Sequence, residues 1–289
     1  MLDINRFEDL DRSIDRTPKS DVIFKILFGD PRHPKLLIHL LNAIIKDPYP
    51  ITEVEVQPTE LTREFAGQRG VRLDILAKTS NGQLVNIEIQ KSNEHNMVPR
   101  SVFHCAKIFS GQALISERYE DLKKTICISI MNFKEFDDKD YLHKCGISNT
   151  QTHELLTDLM EIYFLEIPKI RKLSIDSPLL FWLEFINNPF SERIRHMYTI
   201  ESVYSEAKEA YENAIANPEV QELLRVRQKS EMDYNDAMAR NYNKGRAEER
   251  AKAAAEKVEM ARKMIAKGLS VEDIAGFTGL SVKEIEVFR

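Results

Sequence analysis

The sequence predicts an α/β fold, with a sheet packed between helices, followed by an all-helical C-terminal extension. Up to about residue 178 the patterns run helix, strands, helix, strand, which is typical of an α/β sandwich. Strand signals stop after that point, and residues 203–267 are rich in the helix formers Ala, Glu, Lys and Arg. These observations divide the chain into a flexible lead over 1–16, an α/β domain over 17–200 and a helical extension over 201–289.

Two helices and a strand are predicted at the start of the domain. Thr17 is a candidate N-cap with Pro18 at the first helical position, ahead of a helix over 20–30. A second apolar helix covers 35–45. Residues 51–58 alternate between apolar and polar side chains, which indicates a strand.

The later elements are predicted from the same helical and strand patterns of apolar residues. Residues 99–116 read as a helix with Phe103, Ala106, Ile108 and Ala113 inward. The continuous apolar run over 124–133 suits a central buried strand, and 161–167 alternates as a further strand. In the helical extension, Asn217-Pro218 and Gly245 are the main interruptions.

The composition limits the classes of protein to which this chain can belong. The chain has 289 residues, of which 43% are apolar and 30% charged, so it can bury a core and is not disordered by composition. The net charge of −5 does not indicate a nucleic-acid binder, although a negative overall charge can coexist with a local basic surface. Within 239–263, for example, eight Lys or Arg residues stand against four acids.

Cysteine usage and hydropathy indicate the compartment. Cys105, Cys127 and Cys145 are odd in number and have no CxxC spacing, which argues against a disulfide framework or zinc site and favours a reducing environment. No apolar run approaches the ~20 residues needed to span a bilayer. The acidic N-terminus lacks a signal-peptide core. We therefore expect a soluble cytoplasmic protein without membrane partners.

The most informative segment is RLDILAKTSNGQLVNIEIQK, residues 72–91. It places Asp74 in one apolar β-like run and Glu88 in the next, with Asn81-Gly82 as a hairpin turn between them. Strand interiors disfavour acids because an unpaired buried carboxylate is costly. Binding of a divalent metal is a reason for two acids at these positions.

The hairpin register tests this interpretation. A two-residue loop would pair Asp74 with Ile89, so that the two acids point to opposite faces. A three-residue loop, Ser80-Asn81-Gly82, pairs Thr79 with Gln83 and brings Asp74 opposite Glu88. The shared site therefore requires the bulged turn, with Gly82 at the position that favours a positive φ, or another bulge nearer the site.

Metal-dependent phosphodiester hydrolysis requires anionic oxygen ligands and a positioned water. Asp74 and Glu88 are the candidate ligands, and the main-chain carbonyl of Ile89 is a third. Gln90 lies on the strand face of Glu88, where it would orient the attacking water or a phosphate.

An ordinary surface explanation remains open at this stage. Asp74 and Glu88 would then lie on a solvent face and pair with Arg72 or Lys78, because Arg72 shares the parity of Asp74 along the strand.

The C-terminal residues 271–288 read as helix, turn, helix. Ala275, Gly279 and Ile285 fall at the small, turn and core positions of a helix-turn-helix pattern. The second helix is short and carries Glu284 among few basic or amide side chains, whereas a major-groove reader normally presents Arg, Lys, Asn or Gln. A packing or dimerisation unit is therefore preferred to a sequence-reading one.

Four segments in order resemble the Rpn family of bacterial recombination-promoting nucleases, within the PD-(D/E)XK nuclease superfamily. The resemblance covers roughly 17–170, and the basic Ala-rich tail is also typical. The matching segments are TPKSDVIFKILFGD, RLDILAKTSNGQLVNIEIQ, MVPRSVFHCAKIFSGQ and YEDLKKTICISIMNF.

The resemblance implies a restriction-endonuclease-like core with a mixed sheet flanked by helices. It implies a Mg²⁺-dependent DNA endonuclease, with Mn²⁺ or Ca²⁺ as alternatives, linked to bacterial recombination or mobile elements. Asp74 takes the place of the first metal-binding acid, and Glu88 that of the acid in (D/E)XK. Gln90 stands where the motif has Lys, and it cannot supply the cation.

Further residues match family positions. Lys107 or Arg72 would supply the migrated positive charge, and Asp21 would hold a second metal or support Lys25. Arg100, Lys107 and Gln112 would contact DNA. The alternative is a catalytically weak or inactive DNA-binding scaffold that retains the fold, and the C-terminal region is a candidate for homo-oligomerisation.

Overall fold

The computed structural model describes residues 14–61, 71–112 and 118–288. Of the predicted flexible lead, residues 1–13 lie outside the described residues. Ile14 is buried in the main core, and the Asp15 carboxylate lies 2.9 Å from Lys91 Nζ. Residues 14–16 are therefore packed against the domain, contrary to the predicted lead.

The first two helices are α1 (Asp21–Phe28) and α2 (Pro34–Ile45). Helix α1 begins later than predicted, with Ser20 as its N-cap. The predicted cap at Thr17 is wrong because Thr17 and Pro18 form a turn, in which the Ser20 N–H donates to the Thr17 carbonyl at 2.9 Å.

A mixed six-stranded sheet forms the centre of the α/β domain. Its strands, whose ranges are given below, follow the order β1-β4-β5-β6-β8-β7. Its β5–β6 and β6–β8 pairs are parallel, and the remaining pairs are antiparallel. Strands β2 and β3 form a separate two-stranded sheet. The strands are β1 (Val54–Gln57), β2 (Glu60–Leu61), β3 (Val71–Arg72), β4 (Ile75–Thr79), β5 (Leu84–Gln90), β6 (Thr125–Met131), β7 (Leu142–Ser148) and β8 (Leu155–Glu166). The predicted mixed sheet flanked by helices is confirmed.

The β4–β5 hairpin has the bulged register. The Gly82 N–H donates to the Thr79 carbonyl at 2.8 Å, and the Thr79 N–H donates to the Gln83 carbonyl at 2.9 Å. Gly82 has a φ of 78°, as the three-residue loop requires. The ladder pairs Ile75 with Ile87, and one further step places Asp74 opposite Glu88. The predicted register is confirmed.

The two faces of the sheet pack against different helices. Helix α3 (Met97–Ser110) lies on the face of Glu88, where Leu76 and Cys127 of the sheet pack with Cys105 and Ile108 of α3. On the other face, the main core includes α1, α2, α4 (Pro178–Asn187) and α5 (Ser202–Ala216).

The inward face of α3 differs from the predicted one. Phe103 and Ala106 are exposed, whereas His104 and Cys105 are buried beside the predicted Ile108. Ala113 lies outside the described residues. The buried face of α3 therefore includes a polar histidine that hydropathy alone does not select.

The first compact unit extends to Arg225, beyond the domain boundary predicted at residue 200. Helix α5 packs against α1 and α2, and its Tyr211 and Ala214 belong to the main core.

The second unit is Val226–Arg289. It contains most of α6 (Pro218–Ala266), which begins at the predicted Asn217-Pro218 interruption and then runs through Gly245 without a break. The predicted interruption at Gly245 is wrong, because a single Gly costs only about 1 kcal/mol inside a long run of helix formers.

A helix-turn-helix closes the second unit, formed by α7 (Val271–Thr278) and α8 (Val282–Glu286). Gly279 ends α7 with a φ of 67°, and Ile274 and Ile285 pack with Ala261 of α6 in a small core. No helix in the described parts of the chain has the length and apolar character that a membrane crossing requires.

Substitution at Gly82 tests the turn. Gly82→Val is expected to lower the free energy of unfolding by about 1–2 kcal/mol, because a branched side chain is strained at positive φ. Gly82→Asn, which tolerates this conformation, should lose less. Urea denaturation measures both, and equal losses in the two variants would contradict the strain.

Candidate active site

Asp74 directly precedes β4, one register step beyond the Ile75–Ile87 pair, and Glu88 lies on the neighbouring strand β5. Both side chains are largely enclosed. The Asp74 side chain is 17% exposed and the Glu88 side chain 3% exposed. The alternative of a solvent face for the two acids is therefore wrong. Pairing with Arg72, whose side chain the structure does not describe, stays untested. Each acid instead has specific partners from other elements.

Both oxygens of Asp74 have partners. Oδ1 lies 3.0 Å from Lys25 Nζ of α1, and Oδ2 accepts the Ile89 N–H at 3.1 Å. The Leu73 N–H, at the position opposite Ile89, donates to Thr59 instead. Asp74 therefore supplies a side-chain acceptor where the β4–β5 ladder ends. Because the N–H and C=O of a strand residue point the same way, the Ile89 carbonyl also faces the Asp74 side.

The two oxygens of Glu88 differ in their surroundings. Oε1 accepts a short hydrogen bond from His104 Nδ1 and a second, at 3.3 Å, from the Asn86 side-chain amide. Oε2 lies 3.5 Å from Arg100 Nε, and neither atom has a hydrogen-bond partner among the described residues. The donors are therefore concentrated on one carboxylate oxygen.

The local environments shift the two carboxyl groups in opposite directions. Burial raises the pKa of Asp74, and the opposing Lys25 charge and Ile89 N–H do not cancel that effect. Burial also acts to raise the pKa of Glu88, but His104, Arg100 and Asn86 outweigh it, and the net pKa is lowered. Glu88 is therefore the more readily ionised acid, and its carboxylate accepts the His104 Nδ1 proton.

One face of α3 carries an arginine, a histidine and a lysine. Arg100, His104 and Lys107 are spaced four and three residues apart, which places them on one side of a helix. The helix is tied to β6 by the Ser101 and Ser129 hydroxyls, 2.9 Å apart. Lys107 Nζ is buried and has no hydrogen-bond partner in the described part of the chain.

Two other predicted site residues, Asp21 and Gln90, lie at the start of α1 and at the end of β5. Asp21 opens α1, where its Oδ1 accepts the Val22 N–H at 3.0 Å, and it lies one helical turn before Lys25. Gln90 ends β5 on the Glu88 face and is half-buried, and its main-chain carbonyl accepts the Asn132 N–H at 2.9 Å.

The structure gives no support to a DNA contact by Gln112 and leaves that prediction untested. The Gln112 amide donates to the Lys123 carbonyl and Thr125 Oγ1, each at 2.9 Å, and its oxygen accepts the Lys123 N–H. This side chain links the end of α3 to β6. Arg72 contributes its backbone to β3, and its side chain lies outside what the structure describes.

Four side-chain contacts of the acids were not predicted from sequence: those of Asn86, Arg100 and His104 with Glu88, and that of Lys25 with Asp74. A signal was available for Asn86, because it shares the strand face of Glu88 at i−2. For His104, the spacing from Arg100 places both on one helix face, but nothing in the sequence pairs that face with Glu88.

The donor set fits a hard divalent cation. Glu88 Oε2 is a buried anionic oxygen that receives no hydrogen bond from the described part of the chain, and Asp74 and the Ile89 carbonyl add oxygens of the kind that Mg²⁺ prefers. Among residues 14–61, 71–112 and 118–288, no three His, Cys, Asp or Glu side chains are grouped as metal ligands. A metal here would therefore rely on two carboxylates, the main chain and water.

Comparison with known families decides the assignment. A family model described as "PD-(D/E)XK nuclease family transposase" matches residues 18–241, more than half of the chain. The chain belongs to this family. The match spans Asp74, Glu88 and Gln90 and confirms the resemblance inferred from sequence, and nucleases of the PD-(D/E)XK class typically use divalent metals. No curated protein and no solved structure matches the chain.

The opposite pKa shifts predict opposite stability profiles. Since burial raises the pKa of Asp74, the folded state binds this proton more tightly, and stability falls as pH rises above the usual carboxyl pKa. Asp74→Asn should therefore be more stable than the parent at pH 7, with the difference shrinking towards acidic pH.

Glu88→Gln is the matched comparison. The lowered pKa of Glu88 contributes stability above the usual pKa that is lost as pH falls, so this variant should be less stable than the parent at pH 7. Urea denaturation across pH 3–8 measures both profiles. Changes of the same sign in the two variants would contradict the assignment.

Proposed function

We propose that this protein is a metal-dependent DNA endonuclease that hydrolyses phosphodiester bonds. The observation that carries the proposal is the opposition of Asp74 and Glu88 within the family-matched region, with Glu88 Oε2 buried and without a donor among the described residues. Mg²⁺ is the proposed ion, with Mn²⁺ or Ca²⁺ as substitutes.

Asp74, Glu88 and the Ile89 carbonyl would hold the ion. When bound, it supplies Lewis-acid stabilisation of charge on phosphate and lowers the pKa of water. Gln90 follows Glu88 on the same strand face, and we assign it the orientation of the attacking water. Asp21 stands one helical turn from Lys25 and would support that lysine or a second ion.

The positive charge that Gln90 cannot provide has two candidate sources. Lys107 has a buried ammonium group without a hydrogen-bond partner among the described residues, a costly arrangement that an incoming phosphate would relieve. Lys25 already neutralises Asp74 at 3.0 Å. Lys107 is therefore the better candidate for stabilising charge on the scissile phosphate.

DNA is the proposed partner along the Arg100 side of α3. The Arg100 side chain is 32% exposed while its Nε approaches Glu88, so it is placed to contact both the site and a phosphate. Contacts from Arg72 and Gln112 stay predictions from the family positions.

The biological setting proposed from the family is bacterial recombination or the activity of mobile elements. Homo-oligomerisation through the C-terminal region is a further part of the proposal, supported by exposed apolar side chains along α6. A truncation that tests it should end near Arg225, where the first unit ends. The exposed residues are Leu223, Val226, Met232, Tyr234, Met238 and Tyr242.

The second candidate is a DNA-binding scaffold with weak or no catalysis. It is favoured by the engagement of both Asp74 oxygens within the protein and by Gln90 in place of the motif lysine. Substitution of the acids distinguishes the two functions.

Asp74→Ala and Glu88→Ala should each reduce cleavage of plasmid DNA in Mg²⁺ by about 1000-fold or more, because a metal contribution of several kcal/mol is lost. DNA affinity should change little. Glu55→Ala, at an exposed position on β1, is the control. Parental cleavage by both acid variants would exclude this site, and absence of cleavage by the parent would favour the scaffold.

Lys107→Met should lower the cleavage rate by about 100- to 1000-fold, since a positioned charge next to the phosphate is removed. Its folded state should be at least as stable as the parent's, because an unpartnered buried ammonium is lost. Lys78→Met, on the exposed side of β4, is the control. Loss of cleavage in Lys25→Met but not in Lys107→Met would transfer the role to Lys25.

A further inference from the structure

The asymmetry of the Glu88 carboxylate points to a residue that orients it. His104 Nδ1 and the Asn86 amide both donate to Oε1. Oε2 receives no hydrogen bond from any residue that the structure describes. Oε1 therefore carries both hydrogen-bond donors, whereas Oε2 faces the Arg100 guanidinium, whose Nε lies 3.5 Å away without a hydrogen bond to any described residue. This asymmetry holds the carboxylate in one rotational state, and Oε2 is the oxygen that we assign to a ligand.

We propose that His104 is a positioning residue that orients Glu88 so that Oε2 binds the divalent metal. The inference rests on the proposed function and deepens it by assigning one oxygen to the metal and one to the protein. Carboxylates that bind metals are commonly hydrogen-bonded by a second residue, which fixes their orientation.

The surroundings of His104 suit this role. Its side chain is 10% exposed and comes from α3, whereas Glu88 comes from β5. One helical turn earlier, Ser101 bonds to Ser129 of β6, so the helix that carries His104 is fixed to the sheet. Cys105, the next residue, is fully buried. The His104 Nδ1 donor is therefore held in a fixed position next to Glu88.

Asn86 cannot replace His104 in this role. Its amide lies 3.3 Å from Oε1, near the upper limit of a hydrogen bond, and it comes from the same strand as Glu88. The His104 bond is the shorter of the two and the one that reaches from a different element. Removal of the His104 donor should therefore release the carboxylate to rotate.

A matched pair of variants separates orientation from general packing. The amide nitrogen of Asn can occupy the place of a histidine Nδ1, whereas that of Gln reaches the place of Nε2. His104→Asn therefore keeps a donor for Glu88 Oε1 and His104→Gln moves it away, although both introduce an uncharged amide. Ser101→Ala is the helix control, because Ser101 bonds to Ser129 and not to Glu88.

The first measurement is Mn²⁺ binding to the full-length protein without DNA, by titration calorimetry, with thermal denaturation to confirm folding. His104→Gln should weaken Mn²⁺ binding by about 10- to 100-fold, the usual effect of losing such a support. His104→Asn and Ser101→Ala should stay close to the parent.

The second measurement is DNA cleavage against Mn²⁺ concentration. In His104→Gln, excess Mn²⁺ should restore most of kcat while KM for DNA stays unchanged, a pattern that a purely structural role would not produce.

The outcomes distinguish this inference from the proposed function. Parental Mn²⁺ affinity in His104→Gln overturns the positioning role while leaving the nuclease assignment intact. If that variant does not fold, His104→Asn decides, because a loss of affinity beyond about tenfold despite a retained donor contradicts the proposal. Failure of the parent itself to bind Mn²⁺ overturns both the proposed function and the inference.

Discussion

The enclosure of an ionised Glu88 between the sheet and α3 is the constraint on which the rest of the site depends. A buried carboxylate costs several kcal/mol unless charges and hydrogen bonds compensate it. Here the compensation comes from Asn86 on the same strand and from Arg100 and His104 on α3. Helix α3 must therefore keep its rotation about its own axis and its distance from the sheet. The hydrogen bond between Ser101 and Ser129 of β6 contributes to both.

Asp74 is compensated by other groups than those around Glu88. Its partners are Lys25 of α1 and the Ile89 N–H at the end of the β4–β5 ladder. The two acids thus connect α1 and α3 to the neighbouring ends of β4 and β5, and each has its own counter-charge. A metal ion that binds here has to compete with Lys25 and Arg100 for the carboxylate oxygens. Because these side chains already pair with the acids, the site stays ordered before a metal binds.

Sequence was sufficient for the sheet centre and for the hairpin, because apolar runs and turn chemistry are local signals. The metal-site hypothesis predicted the three-residue loop, or another bulge nearer the site, because a two-residue loop would place Asp74 and Glu88 on opposite faces. Strand β7 was missed because it is a largely exposed edge strand without alternation. The His104 contact was missed because the pairing of a helix face with a strand depends on packing distant in sequence.

The length of the Ser80-Asn81-Gly82 loop has an evolutionary consequence. Surface loops usually tolerate insertions and deletions, because they change little beyond themselves. Loss of one residue here would restore a two-residue hairpin and move Asp74 or Glu88 to the other side of the sheet. Relatives that depend on both acids should therefore vary freely at Ser80 and Asn81 while keeping the length of the loop and Gly or Asn at position 82, a pattern opposite to that of most loops.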